Sequence, residues 1–199
     1  MESKLLQCPS CFCTISADQE NCEYCGNKIV IETINDMSNL SSEALRNYGR
    51  SYTKNLEQGI GDRQEMEGAL AFIFLKMKLY EKAEDHFSKA VDEFCNNPDL
   101  YYGWAISILR GKGAYGCYRE TVDEAMSYLN AALSIEKKGI YYYFQAFLSY
   151  DYFFSKGFRV SPNYVDYLNL AIGTRNLTRA DINHLYELLN VPCPDKLRL

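Results

Sequence analysis

Four cysteines near the start of the chain are the residues best suited to chemistry. They read Cys8-Pro-Ser-Cys11, then ten residues, then Cys22-Glu-Tyr-Cys25-Gly26. Each C-x₂-C pair can place two thiolates on one tight turn. Two such turns supply a closed tetrahedral set of sulfurs, about 2.3 Å from a zinc ion. A sulfur shell that is full leaves no position for water or substrate, so the spacing points to one structural Zn2+ per chain, not a catalytic one. Cys13 lies two residues past Cys11 and is a possible competitor. Cys95, Cys117 and Cys193 are scattered singly and read as small apolar fillers.

Other candidate chemistry is thinner. Gly111-Lys-Gly-Ala-Tyr-Gly116 looks superficially like a phosphate-binding loop, but it lacks the Gly-Lys-Ser/Thr ending and follows a helical pattern, so it reads as an interhelical turn. His86 and His184 are the only histidines, and no Ser, Cys or Asp spacing marks either as part of a triad. The acids Glu81, Glu84, Asp85, Asp92 and Glu93 read as a solvated helix face. The chain is therefore expected not to be an enzyme.

Composition narrows the classes further. The 199 residues are 47% hydrophobic and carry a net charge of -5, with a pI near 5.2. Residues 1–35 hold Lys4 and Lys28 against Glu2, Asp18, Glu20, Glu23 and Glu32. A metal module meant to grip phosphates is normally basic, so nucleic acid is a poor partner for this one. The first residues have no apolar run resembling a signal peptide, and no segment offers the ~20 apolar residues of a membrane span. Metal-bound thiolates in a reducing cytoplasm fit the cysteine usage best.

The elements that must position these residues are mainly helical. Leu45, Tyr48, Tyr52 and Leu56 form a 3-4-4 stripe, ended at Gly59-Ile60-Gly61-Asp62. A pattern then recurs. Ala83, Phe87, Ala90 and Val91 share their spacing with Ala125, Leu129, Ala132 and Leu133, and with Tyr164, Leu168, Ala171 and Ile172. A period of roughly 40 residues, each holding two helices, indicates a helix-hairpin solenoid. Thr121 and Glu124, and Ser161 before Pro162, are expected to cap helices. Thr178 and Asp181 are expected to open a last amphipathic helix bearing Ile182, Leu185, Leu188 and Leu189.

Two resemblances follow from these residues. The segment CPSCFCTISADQENCEYCGNKIV, Cys8 to Val30, resembles the short zinc ribbons at the head of many bacterial proteins. That likeness implies strand residues Ile15 and Ile29–Ile31 closing over the metal. It departs at Phe12, where the family has glycine. Residues 64–175 resemble tetratricopeptide repeats, best in AFIFLKMKLYEKAEDHFSKAV, where Ala71, Tyr80, Ala83, Phe87 and Ala90 carry the match. The expected organisation is a zinc ribbon of short β-strands over 1–35, a polar linker over 36–42, and a tetratricopeptide-like domain with a C-terminal capping helix over 43–199. A polar linker implies that ribbon and helices fold separately.

The repeat likeness implies a concave groove lined by the first helix of each hairpin. Counting from Ala71, Ala105 and Ala146 directs Lys76, Tyr102, Arg110, Tyr143, Phe147, Tyr150 and Asp151 toward it. A tyrosine-rich groove suits a protein or peptide ligand. The chaperone-type carboxylate clamp is not matched, since Gly68 and Phe72 stand where it has Lys and Asn. The expected function is a cytoplasmic adaptor that binds a protein or peptide. The alternative is a nucleic-acid- or transcription-associated zinc-ribbon protein.

Overall fold

The computed structural model describes residues 5–16, 19–37, 40–92 and 95–199. Eight α-helices dominate the described residues, as the periodicity predicts. They are α1 (Ser42–Gln58), α2 (Arg63–Lys76), α3 (Tyr80–Ala90), α4 (Pro98–Ser107), α5 (Arg119–Ile135), α6 (Gly139–Leu148), α7 (Tyr164–Gly173) and α8 (Arg179–Leu189). No helix among them is long and apolar enough to cross a membrane. Two short strands, β1 (Leu5–Gln7) and β2 (Thr14–Ser16), pair antiparallel with Leu6 opposite Ile15.

The chain divides into two compact units, Met1–Glu93 and Phe94–Leu199. This boundary differs from the expected linker at 36–42. Ile34–Met37 forms a 3₁₀ turn with Ile34 and Met37 buried, so the start of the expected linker is packed. Asp36 accepts from the amides of Glu32 and Thr33 and from the Lys28 ammonium. Burial opposes its charge, but these donors outweigh burial and hold the carboxyl below its usual range. The cysteine module and the first three helices are thus parts of one body.

In that unit, α1 follows the expected stripe. Leu45, Tyr48 and Tyr52 are buried, Ser41 caps the start, and Gly59 closes the end at φ 64°. Left-handed backbone of this kind favours glycine. Helices α2 and α3 pair through Phe72 and Phe87, whose rings meet edge to face at 5.5 Å. Ala83, Phe87 and Ala90 are buried as the repeat predicts.

In the second unit, α4 pairs with α5 and α6 with α7. Ala125, Leu129 and Ala132 bury the repeated face of α5. The third copy differs: on α7 only Ala171 is buried, and Ile172 is 53% exposed. Two expected caps are displaced. Helix α5 begins at Arg119, ahead of Thr121, and has no side-chain cap. Asn163, not Ser161, caps α7, with Asp166 completing the box. The Thr178–Asp181 box on α8 is present, and Ile182, Leu185, Leu188 and Leu189 are all buried.

Candidate metal centre

The two C-x₂-C turns are built alike. The Phe12 amide donates to the Cys8 carbonyl, as the Gly26 amide does to Cys22. The Cys8 amide donates to Cys13, as the Cys22 amide does to Asn27. The fifth residue of each turn is left-handed, Phe12 at φ 62° and Gly26 at φ 72°. Phe12 thus occupies the conformation that a glycine would adopt without strain, and its ring is half exposed.

These turns bring the four predicted ligands together. The Sγ atoms of Cys8, Cys11, Cys22 and Cys25 all lie within 4.8 Å of one another. Across the turns, Cys8 and Cys25 are 3.7 Å apart, and Cys11 and Cys22 are 3.7 Å apart. A tetrahedron with metal–sulfur bonds of about 2.3 Å has an edge of about 3.8 Å, so these separations suit a four-sulfur metal site. They are far longer than a disulfide of about 2.05 Å, and all eight cysteines are free thiols. Cys13 stands outside the cluster; its carbonyl serves the first turn instead.

Crowding makes the set unfavourable without a cation. Burial pushes the Cys8 thiol up to about 12 and also raises Cys25. Cys22 also pays for burial, but the amides of Cys25 and Tyr24 outweigh that cost and bring it down to about 7. A divalent ion would supply the positive charge that lets all four sulfurs ionise. Cys8, Ile15, Cys22 and Ile29 form a small core around them.

The module is closed from outside. Residues 29–31 were expected as a strand, but they lie outside the named strands: an isolated antiparallel bridge joins Asn21 to Lys28, and beside it the Ile29 amide donates to the Glu20 carbonyl at 2.7 Å. The backbone here is served by phenols on α1. Tyr52 donates to the Ile29 carbonyl at 2.7 Å and accepts from the Ile31 amide at 3.3 Å. Tyr48 donates to the Lys28 carbonyl. Asn47 reaches the Ser10 carbonyl at 3.2 Å. Sequence reasoning placed Tyr48 and Tyr52 on a core stripe and missed this docking role; the hydroxyls on that stripe were the available signal.

The predicted partner groove is not assembled as expected. Tyr102, Tyr143 and Phe147 are buried, at 3%, 0% and 1% exposure. Tyr102 packs on Tyr141 and Phe144. The Tyr143 hydroxyl donates to the Leu197 carbonyl at 2.7 Å, and its ring meets Tyr186 edge to face. The physical reason is coverage: α8 and the tail through Leu197 lie over the side of α6 that a plain hairpin array leaves open. Tyr150 is half-buried and stacks on Phe154. Asp151 accepts from the Tyr115 amide at 2.9 Å and so anchors the 111–116 loop. A Cβ on Gly113 would stand 2.9 Å from that carboxylate, so glycine permits the approach. Arg110 is exposed, and Lys76 is half-buried on α2, in the other unit.

His86 also has a structural setting. Its Nδ1 lies 2.6 Å from the buried Glu67 carboxylate, and its ring stacks on Phe74. Clefts lie among the described residues of the first unit. One, of about 420 Å³, is lined by Pro9, Val30, Tyr52, Asp62 and Met66. Another, of about 390 Å³, runs between α1 and α2. Comparison with known proteins adds no relative: no family model matches the chain, and no curated protein or solved structure is similar to it.

Proposed function

We propose that this chain is a non-enzymatic cytoplasmic adaptor. In this reading a zinc ribbon holds one structural Zn2+ through Cys8, Cys11, Cys22 and Cys25, and tetratricopeptide-like hairpins present the surface that binds a protein or peptide. The observation that carries the reading is the clamping of the cysteine module onto α1 by Tyr48 and Tyr52. A metal closed off by four sulfurs, in a module fixed to a helical body, builds surface and leaves no coordination position for chemistry. The hairpins α2/α3, α4/α5 and α6/α7, with the repeated buried positions of α3 and α5, support the repeat-like part.

The experiment is isolation of the partner. Full-length protein, loaded with zinc, is used to capture partners from its native organism, and the captured species is identified by mass. Reconstitution from purified components at micromolar affinity is the expected outcome. A purified partner that is a nucleic acid, or turnover of a small molecule by the purified chain, would replace this reading with the corresponding alternative.

A further inference from the structure

We infer that the groove between α1 and α2 is a docking site for an acidic amphipathic helix of a partner protein; this rests on the adaptor reading and assigns its site. The floor of the groove is apolar, formed by Gly49, Phe74 and Met77. Its volume of about 390 Å³ falls at the small end of the roughly 300–1,000 Å³ typical of ligand sites. That space suits a few anchoring side chains.

The rim supplies the sign of the partner's charge. Arg46, Arg50 and Lys54 line the groove at i, i+4 and i+8 along α1, against a single lining acid, Glu57, at the far end of the helix. All three are exposed, and among the described residues none makes an ion pair. Like charges at this spacing destabilise an isolated helix. The protein as a whole is acidic, so this cationic stripe stands against its background. The stripe spans about 12 Å, the rise of eight helical residues, so carboxylates at i, i+4 and i+8 of a helix laid alongside would meet it in register. An apolar floor beneath the cations favours an amphipathic peptide over a bare phosphate chain, which has no apolar face to bury.

Two features keep the floor open and firm. Gly49 sits in the interior of α1, where glycine is less favourable than alanine. Its backbone does not require glycine, and a Cβ there would meet only Ile73, at 3.8 Å. What its missing side chain provides is depth in the groove. Phe74 is held in place by the stacked His86 ring at 5.1 Å and by Lys82, whose ammonium lies 5.5 Å from the ring centroid.

The test uses the zinc-loaded full chain and a labelled synthetic peptide of about 16 residues, long enough for marginal helicity. The peptide carries Leu at i, i+4, i+7 and i+11, with Glu on the flanking positions. Controls are the same peptide with Lys for Glu, a scrambled Glu peptide, and a single-stranded oligonucleotide. The Glu peptide is expected to bind and to shift NMR signals of α1 and α2. Its affinity is expected to fall by about tenfold or more in Arg46→Glu/Arg50→Glu, and similarly in Gly49→Leu, which fills the groove while keeping or raising the melting temperature. Binding that survives both variants, equal binding of the Lys peptide, or tighter binding of the oligonucleotide would overturn the proposal. So would self-association of the chain that Gly49→Leu abolishes, since a second copy would then be the occupant. Shifts confined to α4–α8 would remove the groove yet leave the adaptor reading standing, and that reading fails only with its own partner isolation.

Discussion

The Tyr52 hydroxyl lies 2.7 Å from the Ile29 carbonyl and 3.3 Å from the Ile31 amide, so one phenol on α1 does the work of a neighbouring strand. The cysteine module is too small to bury much apolar surface of its own. It borrows a helix to satisfy its backbone, and the helix in turn gains a roof over Tyr48 and Tyr52.

That exchange predicts a coupled cost for Tyr52→Phe. The ring still packs, but a buried carbonyl and a buried amide lose their partner. Unfolding in denaturant is expected to show a loss of about 1–3 kcal/mol, with faster transfer of metal to a competing chelator. An unchanged midpoint together with an unchanged transfer rate would show that the hydroxyl contributes nothing.

Metal content separates the cluster from its neighbour. Protein purified without added metal is expected to hold about one equivalent of zinc by elemental analysis. Cys22→Ser/Cys25→Ser is expected to lose it, whereas Cys13→Ser is expected to keep it, since Cys13 lies outside the cluster. Zinc lost from Cys13→Ser alone would move the ligand set.

Phe12 and Gly26 make a matched pair of tests. Both are left-handed, at φ 62° and φ 72°, and a Cβ on Gly26 would meet nothing within 4 Å. Phe12→Gly should therefore stabilise the metal-bound protein by about 1 kcal/mol, and Gly26→Ala should destabilise it by about the same amount. Thermal melts of the two variants with metal present would expose an error if the signs were reversed.

Tyr143 is predicted to be core. Tyr143→Ala should cost about 3–5 kcal/mol of stability, the range for large aromatic truncations. Tyr143→Phe should cost about 1–3 kcal/mol, because the Leu197 carbonyl loses its donor. A Tyr143→Ala protein that melts normally but fails to bind its partner would restore this ring to the recognition surface.

The sequence showed some of this plainly. Cysteine spacing pointed to the four-sulfur cluster because two residues between thiols define one turn, whatever the surroundings. The stripes of α1, α3, α5 and α8 were legible because 3.6-residue periodicity marks a buried face. Partner faces were not legible. Ala105 and Ala146 orient their helices, but nothing local says that α8 and the Leu197 tail will cover Tyr143. The docking of Tyr48 and Tyr52 was hidden for a similar reason: their acceptors are backbone carbonyls about twenty residues away, which carry no side-chain signature. Gly49 and the i, i+4 cations Arg46, Arg50 and Lys54 were visible in the text of α1, yet only the α1/α2 packing makes them a groove.

The central claim is that the metal module is built into the surface of the first helices. Hydrogen exchange of the full chain, with and without a metal chelator, tests it most directly. Removing the metal is expected to release the roof over Tyr48 and Tyr52 and to speed exchange of the α1 amides markedly, while the amides of α4, α5, α6 and α8 keep their protection. Full protection of α1 after the metal has gone would contradict the claim, because the module would then be a passenger beside helices that stand without it.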